Sequence, residues 1–151
     1  MIHGVEIKKL TPNVDERGYL MEILRADDPL FTRFAQTYVS LNYPGVVRAW
    51  HYHKKQNDFF CTVKGMTKIV LYDQRDGSPT KGEVQEFFIG EQNPVVLKVP
   101  IGVVHGYKTV GDEPSFLLNF PDKLYDRNDP DEYRLPWNSD QVPYDWAIKM
   151  R

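Results

Sequence analysis

With 151 residues, 41% of them hydrophobic and 26% charged, the chain has the length and composition of one globular domain able to bury a core, read here as a single unit over residues 1–151. A formal net charge of −2 offers no basic surface to nucleic acid or to an anionic membrane, and neither is expected as a partner. The lone cysteine, Cys61, rules out an intramolecular disulfide, and no apolar run has the length of a signal peptide core or a membrane span, so a cytoplasmic location is expected.

Strand-like patterns occupy residues 5–10 and 19–24, on either side of the turn-rich segment 11–18. Residues 27–34 predict a short helical turn, with Asp28 as its cap and Pro29 in the first turn. After it the chain reads as β throughout, with strands over 36–42, 46–53, 58–64, 66–73, 82–89, 93–99, 105–110 and 115–120, broken by Gly, Pro and Asp clusters. Many short strands at this spacing predict a sandwich or barrel. The tail from Asp122 is polar and dotted with proline, and its Trp137 and Trp146 are expected to pack back on the body.

Histidine placement carries the chemistry. Of four histidines, three fall in two short stretches: His51 and His53 between Gly45 and Gly65, and His105 just after Pro100 and Gly102. On an extended strand the side chains of His51 and His53 share a face about 7 Å apart, and Asp58 follows within the same window. Three imidazoles and one carboxylate, if they converge, suit Zn²⁺, Ni²⁺, Mn²⁺ or Fe²⁺ with positions left open. Without a metal, the same set supplies a proton-transfer base with a polar partner. Gly45, Gly65, Pro100 and Gly102 read as turn residues and Cys61 as a packed one.

The spacings G-x5-H-x-H-x4-D-x6-G and P-x-G-x2-H resemble the two signature motifs of the cupin superfamily of small antiparallel β-barrels. Asp58 stands there for the usual glutamate, and Thr109 for the asparagine. The segments around Asp15–Glu22, 42–51, 100–107 and 132–146 are similar, in order along nearly the whole chain, to the dTDP-4-dehydrorhamnose 3,5-epimerase family. That resemblance implies an all-β cupin jelly-roll barrel, a homodimer, and an isomerase of 4-keto-6-deoxy sugars carried on a nucleoside diphosphate. It puts the catalytic base on His51, substrate binding on Arg17, Glu22, Asn42, Arg48 and His105, and nucleotide stacking near Tyr125. No cofactor is required by this reading, a divalent metal on His51, His53, Asp58 and His105 being the alternative.

The chain departs from the family at three places. Leu118 falls where the family has its catalytic tyrosine, Asp58 where it has a lysine that steadies the enolate, and Asn138 or Ser139 where an aspartate orients the base. Tyr107, two residues beyond His105 and on the same strand face, is the candidate for the missing acid. Strict alternation aims Arg48 away from His51 unless the strand bulges between them. Arg17 is expected to reach a pocket only across a dimer interface. Locally, Arg48–Lys55 with Cys61 and Gly65 is also similar to the nucleotide-sugar 3,4-ketoisomerases, in which both histidines of the H-x-H pair move protons, so His53 joins the catalytic candidates. A metal-dependent cupin on another small molecule and a non-catalytic sugar-nucleotide binder complete the alternatives.

Overall fold

The computed structural model describes residues 1–149. Twelve strands follow in chain order, and no helix occurs among the described residues: β1 (Glu6–Lys9), β2 (Asn13–Asp15), β3 (Gly18–Leu20), β4 (Tyr38–Asn42), β5 (Val47–Tyr52), β6 (Asp58–Lys64), β7 (Met66–Asp73), β8 (Val84–Gly90), β9 (Val95–Val99), β10 (Val103–Val110), β11 (Ser115–Asn119) and β12 (Tyr133–Arg134). One five-stranded sheet runs β1-β9-β6-β11-β4 and a second runs β12-β5-β10-β7-β8, while β2 and β3 form a separate hairpin. Every ladder is antiparallel.

The two large sheets face each other across a core drawn from both: Phe60, Leu97 and Leu117 from the first meet Ile69, Leu71, Ile89 and Val103 from the second. Their outer faces are covered too. Leu30, with Met21, Ile23 and Leu24, packs against Phe59, Cys61 and Val96, and the tail lays Val142 and Trp146 over Trp50, Val70 and Val104. Burial on both faces explains why β6 and β7 read as near-continuous apolar runs rather than alternating ones. Trp146 packs as expected, whereas the Trp137 side chain is 57% exposed and contributes only its carbonyl, which accepts the Trp50 indole N–H at 3.1 Å.

The predicted helical turn at 27–34 does not form. Two successive β-turns replace it, with Asp28 N–H on the Arg25 carbonyl and Phe31 N–H on the Asp28 carbonyl. The Asp28 carboxylate is held by the Arg25 amide and the Lys8 ammonium, at 2.7 and 2.6 Å, instead of capping a helix. The chain crosses from the first sheet to the second at Gly65, between β6 and β7, where a φ of +69° and the close Pro114 carbonyl exclude a side chain.

One irregularity decides where the site lies. In the β5–β10 ladder His105 pairs with His51 and Tyr107 with Arg48, so Ala49 and Trp50 together stand opposite Gly106. This is a β-bulge. It lets Arg48 and His51 face the same side while Trp50, 1% exposed, is driven to the opposite face under the tail.

Candidate active site

Between the sheets, at the end where β5, β6 and β10 bring their histidines and aspartate together, lies a cavity of about 700 Å³. His51, Arg48 and Tyr107 come from the second sheet, and Asp58, Phe60, Leu117, Asn119, Tyr38 and Ser40 from the first; His105 on β10 and His53, just beyond β5, complete the floor. The loop that follows β11 adds Tyr125, Arg127, Asp131 and Glu132 to the lining, and β12 adds Arg134.

At the bottom sits Asp58, 1% exposed. Its Oδ1 accepts hydrogen bonds from Gln56 Nε2 at 3.0 Å and Asn119 Nδ2 at 2.9 Å. Its Oδ2 lies 3.1 Å from His53 Nε2 and 3.4 Å from His105 Nε2. Burial works against the Asp58 charge, but the His53 hydrogen bond and the neighbouring imidazoles outweigh it and hold the carboxyl below its ordinary range. For His53 burial again opposes charge, and the Asp58 carboxylate and the Asp131 carbonyl outweigh it, so its pKa is raised.

His105 behaves oppositely. Complete burial dominates and pushes it down to about 4, so its 3.4 Å approach to Asp58 is not a pairing of full charges. Its Nδ1–H donates to the Val103 carbonyl at 3.2 Å, which leaves the Nε2 lone pair facing the carboxylate. The His53 Nδ1 is likewise engaged by the Asp131 carbonyl. Asp131 fixes this corner further by accepting the Lys54 and Lys55 amides at 2.9 and 2.7 Å.

No side-chain hydrogen bond holds the His51 ring among the described residues. Its centroid lies 6.1 Å from that of His105, and burial lowers its pKa, partly offset by Glu132. A neutral, half-buried imidazole with an unengaged edge toward the cavity is suited to accept a proton. Of the expected metal ligands, His53, Asp58 and His105 bring donor atoms within 4.8 Å of one another, and His51 stands outside that group.

The remaining candidates separate. Tyr107 and Tyr125 line the cavity as expected. Asn42 does not: it is fully buried and acts behind Arg48, accepting the guanidinium Nε at 3.0 Å and donating to the Val46 carbonyl and Thr109 Oγ1. Arg17 and Glu22 are exposed and outside the cavity, Arg17 against Asp15 and Glu22 against Arg25 at 2.7 Å. Asn138 and Ser139, placed by resemblance beside the base, line a separate surface depression with Trp146. The acid nearest His51 in effect is instead Glu132, and β12 sets Arg134 directly opposite His51.

Leu118 points away from the cavity, since the side chains that β11 sends inward are Leu117 and Asn119. Sequence reasoning missed Asn119, Tyr38, Glu132 and Arg134. Tyr38 sits on an edge strand with no motif around it, and the two-residue strand β12 is too short to leave a period.

Two facing antiparallel sheets with a histidine-lined hollow between them define a jelly-roll protein of the cupin type. Comparison narrows this: the family described as dTDP-4-dehydrorhamnose 3,5-epimerase matches residues 1–151, and the chain belongs to that family of sugar epimerases, a class of isomerase. It is 48% identical to the probable low-salt glycan biosynthesis epimerase Agl13 of Haloferax volcanii, over 99% of this chain and 97% of that protein. It is 41% identical to the spore coat polysaccharide biosynthesis protein SpsL of Bacillus subtilis, over all of both chains. Among solved structures, a dTDP sugar isomerase from Desulfovibrio desulfuricans superposes with a TM-score of 0.91 at 29% identity, covering 96% of this chain and 92% of that one. An epimerase from Legionella pneumophila, solved in complex with dTDP-4-keto-L-rhamnose, gives 0.83 at 25% identity, covering 96% and 79%.

Proposed function

We propose that this protein epimerises a dTDP-linked (or other nucleoside-diphosphate-linked) 4-keto-6-deoxyhexose at carbons adjacent to the ketone, for deoxysugar and polysaccharide synthesis. The observation that carries the reading is His51, neutral and unengaged at the wall of a cavity that also presents Arg48, Arg127 and Arg134. His51 takes the proton α to the ketone, and the C–H electron pair moves onto the carbonyl oxygen. The family's lysine is missing, but the Asp58 carboxylate and the Asp131 carbonyl favour the charged form of His53 in the same cavity, and that form supports the enolate. The arginines suit a diphosphate, and Tyr125 suits a stacked base. A cytoplasmic setting agrees with the free, buried Cys61.

Arg17 and Glu22 enter this scheme through a homodimer. The β2–β3 hairpin that carries Arg17 exposes Val14, Tyr19 and Leu20 at 76%, 57% and 66%, an apolar surface suited to a second copy whose cavity then receives Arg17 and Glu22. Light scattering of the purified chain tests this, a monomer at micromolar concentration arguing against it.

The keto-shift alternative asks His53 to exchange protons with substrate. Both of its ring nitrogens are engaged, by Asp58 and by the Asp131 carbonyl, which favours epimerisation. A metal reading draws on one specific observation: with the two Nδ1 atoms on carbonyls, the Nε2 atoms of His53 and His105 converge on Asp58 Oδ2, a donor set that suits a divalent ion. Such an ion would supply Lewis-acid polarisation of the ketone. The deciding experiment incubates a dTDP-4-keto-6-deoxyhexose with the protein in heavy water, before and after chelation. Deuterium uptake unaffected by chelation is expected; uptake lost on chelation supports the metal reading, and neither uptake nor dTDP binding overturns the assignment.

A further inference from the structure

With Leu118 turned outward, the cavity needs another proton donor, and the hydrogen-bond pattern around Asn119 identifies one. In the β4–β11 ladder Asn119 pairs with Tyr38. Asn119 Oδ1 accepts the Phe59 backbone N–H at 3.1 Å, so the other end of the amide is its NH₂. Both hydrogens of that group are committed, one to Asp58 Oδ1 at 2.9 Å and one to the Tyr38 hydroxyl oxygen at 2.9 Å. A phenol that accepts there keeps its own hydrogen. No protein acceptor takes that hydrogen among the described residues, and the hydroxyl borders the cavity.

Position supports the same role. Tyr38 rises from the first sheet and His51 from the second, so the two groups approach a bound sugar from opposing walls. Tyr107, the donor expected from sequence, sits on β10, the strand paired with the one that carries His51; it approaches from the side of the base. Inversion at carbon requires the proton to leave one face and return to the other.

Resting on the epimerase reading, we propose that Tyr38 is the catalytic acid of this protein. After His51 has removed the α proton, the enolate electron pair forms a new C–H bond with the Tyr38 hydroxyl proton on the opposite face. The tyrosinate left behind keeps the Asn119 N–H as a hydrogen-bond donor and is reprotonated by water, while His51 returns its proton to solvent. Tyr38 is 48% exposed as a residue, but desolvation of its hydroxyl end, reinforced by the Asp58 charge, raises its pKa to about 12.

The test follows two signals from the full-length protein with a dTDP-4-keto-6-deoxyhexose in heavy water: deuterium uptake by mass spectrometry, and epimer formation by NMR. Tyr38→Phe is expected to retain deuterium uptake and dTDP affinity within about threefold while epimer formation falls about 100-fold. Tyr107→Phe, which alters the cavity wall on the side of the base, is expected to move uptake and epimer formation together, without the split. Tyr38→Met, which removes the hydroxyl without relying on an aromatic ring, is expected to show the same split as Tyr38→Phe. Epimer formation at the parent rate by either folded Tyr38 variant, or the split appearing in Tyr107→Phe, overturns the proposal. Absence of uptake in the parent protein sinks the epimerase reading itself, an outcome distinct from a failure confined to the variants.

Discussion

Two buried aspartates, Asp58 and Asp73, end up in opposite circumstances. Asp73, fully buried at the end of β7, takes five hydrogen bonds: Arg75 supplies its amide, Nε and Nη2, and Ser78 and Thr80 supply hydroxyls at 2.6 Å. Every donor comes from the seven residues that follow, so this carboxylate staples its own loop. Asp58 takes two amide donors on one oxygen, and its other oxygen faces two imidazole nitrogens, one of them carrying a lone pair. A saturated carboxylate contributes to stability; one left with an unresolved electrostatic demand inside a cavity marks a place where charge has work to do.

The largest expected effect comes from neither aspartate but from the group that the Asp58 cluster serves. His51→Asn should lower deuterium uptake into the keto sugar by about 10³-fold with little change in melting temperature. Asp73→Ala should do the reverse. It leaves the Arg75 guanidinium and two hydroxyls without their acceptor and should cost about 3 kcal/mol in denaturant unfolding, with uptake per folded molecule preserved.

Arg48→Ala should weaken dTDP binding about tenfold in calorimetry, roughly 1.4 kcal/mol, since Asn42 holds that guanidinium ready at the cavity wall. Asp58→Asn should change unfolding free energy by less than about 1 kcal/mol, because an amide can donate to His105 Nε2 where the carboxylate faces a lone pair. It should still lower uptake at least tenfold by discharging His53. A large destabilisation would erase the contrast between the two aspartates.

Acid sharpens it. The Asp73 carboxyl is held well below its ordinary range by burial-opposed hydrogen bonds from Arg75, Ser78 and Thr80. A depressed folded-state pKa means that its contribution is fully present above pH ~4 and is lost as pH falls through the folded value. Unfolding free energy should therefore fall steadily below pH 4, and Asp73→Asn should flatten that limb while lowering stability at pH 7.

Much of this was legible in the chain. The ends of β6 and β7, at Asp58, Lys64, Met66 and Asp73, were readable to the residue because two apolar runs are divided by a glycine, and the convergence of His53, Asp58 and His105 followed from two short spacings. What could not be read depended on contacts between distant strands. Tyr38 looks like any edge aromatic until Asn119 is set opposite it. Glu132 and Arg134 lie in a polar tail whose pairing with β5 beside the cavity no local pattern announces. The direction of Leu118 required knowing which face of β11 is turned toward the second sheet, and that face carries Ser115, Leu117 and Asn119. The helical turn near Asp28 failed because its carboxylate was claimed by Lys8, from the opposite end of the local sequence.

The Asn119 amide has one further implication, for anyone seeking to redesign this protein. Its orientation is chosen by the Phe59 main-chain N–H, a group that survives every side-chain replacement. Libraries that vary the cavity walls thus inherit a fixed polarity at position 119: whatever residue is placed at 38 meets a donor, never an acceptor. Glutamate at 38 respects that constraint, as the native phenol does, whereas lysine at 38 confronts it head-on.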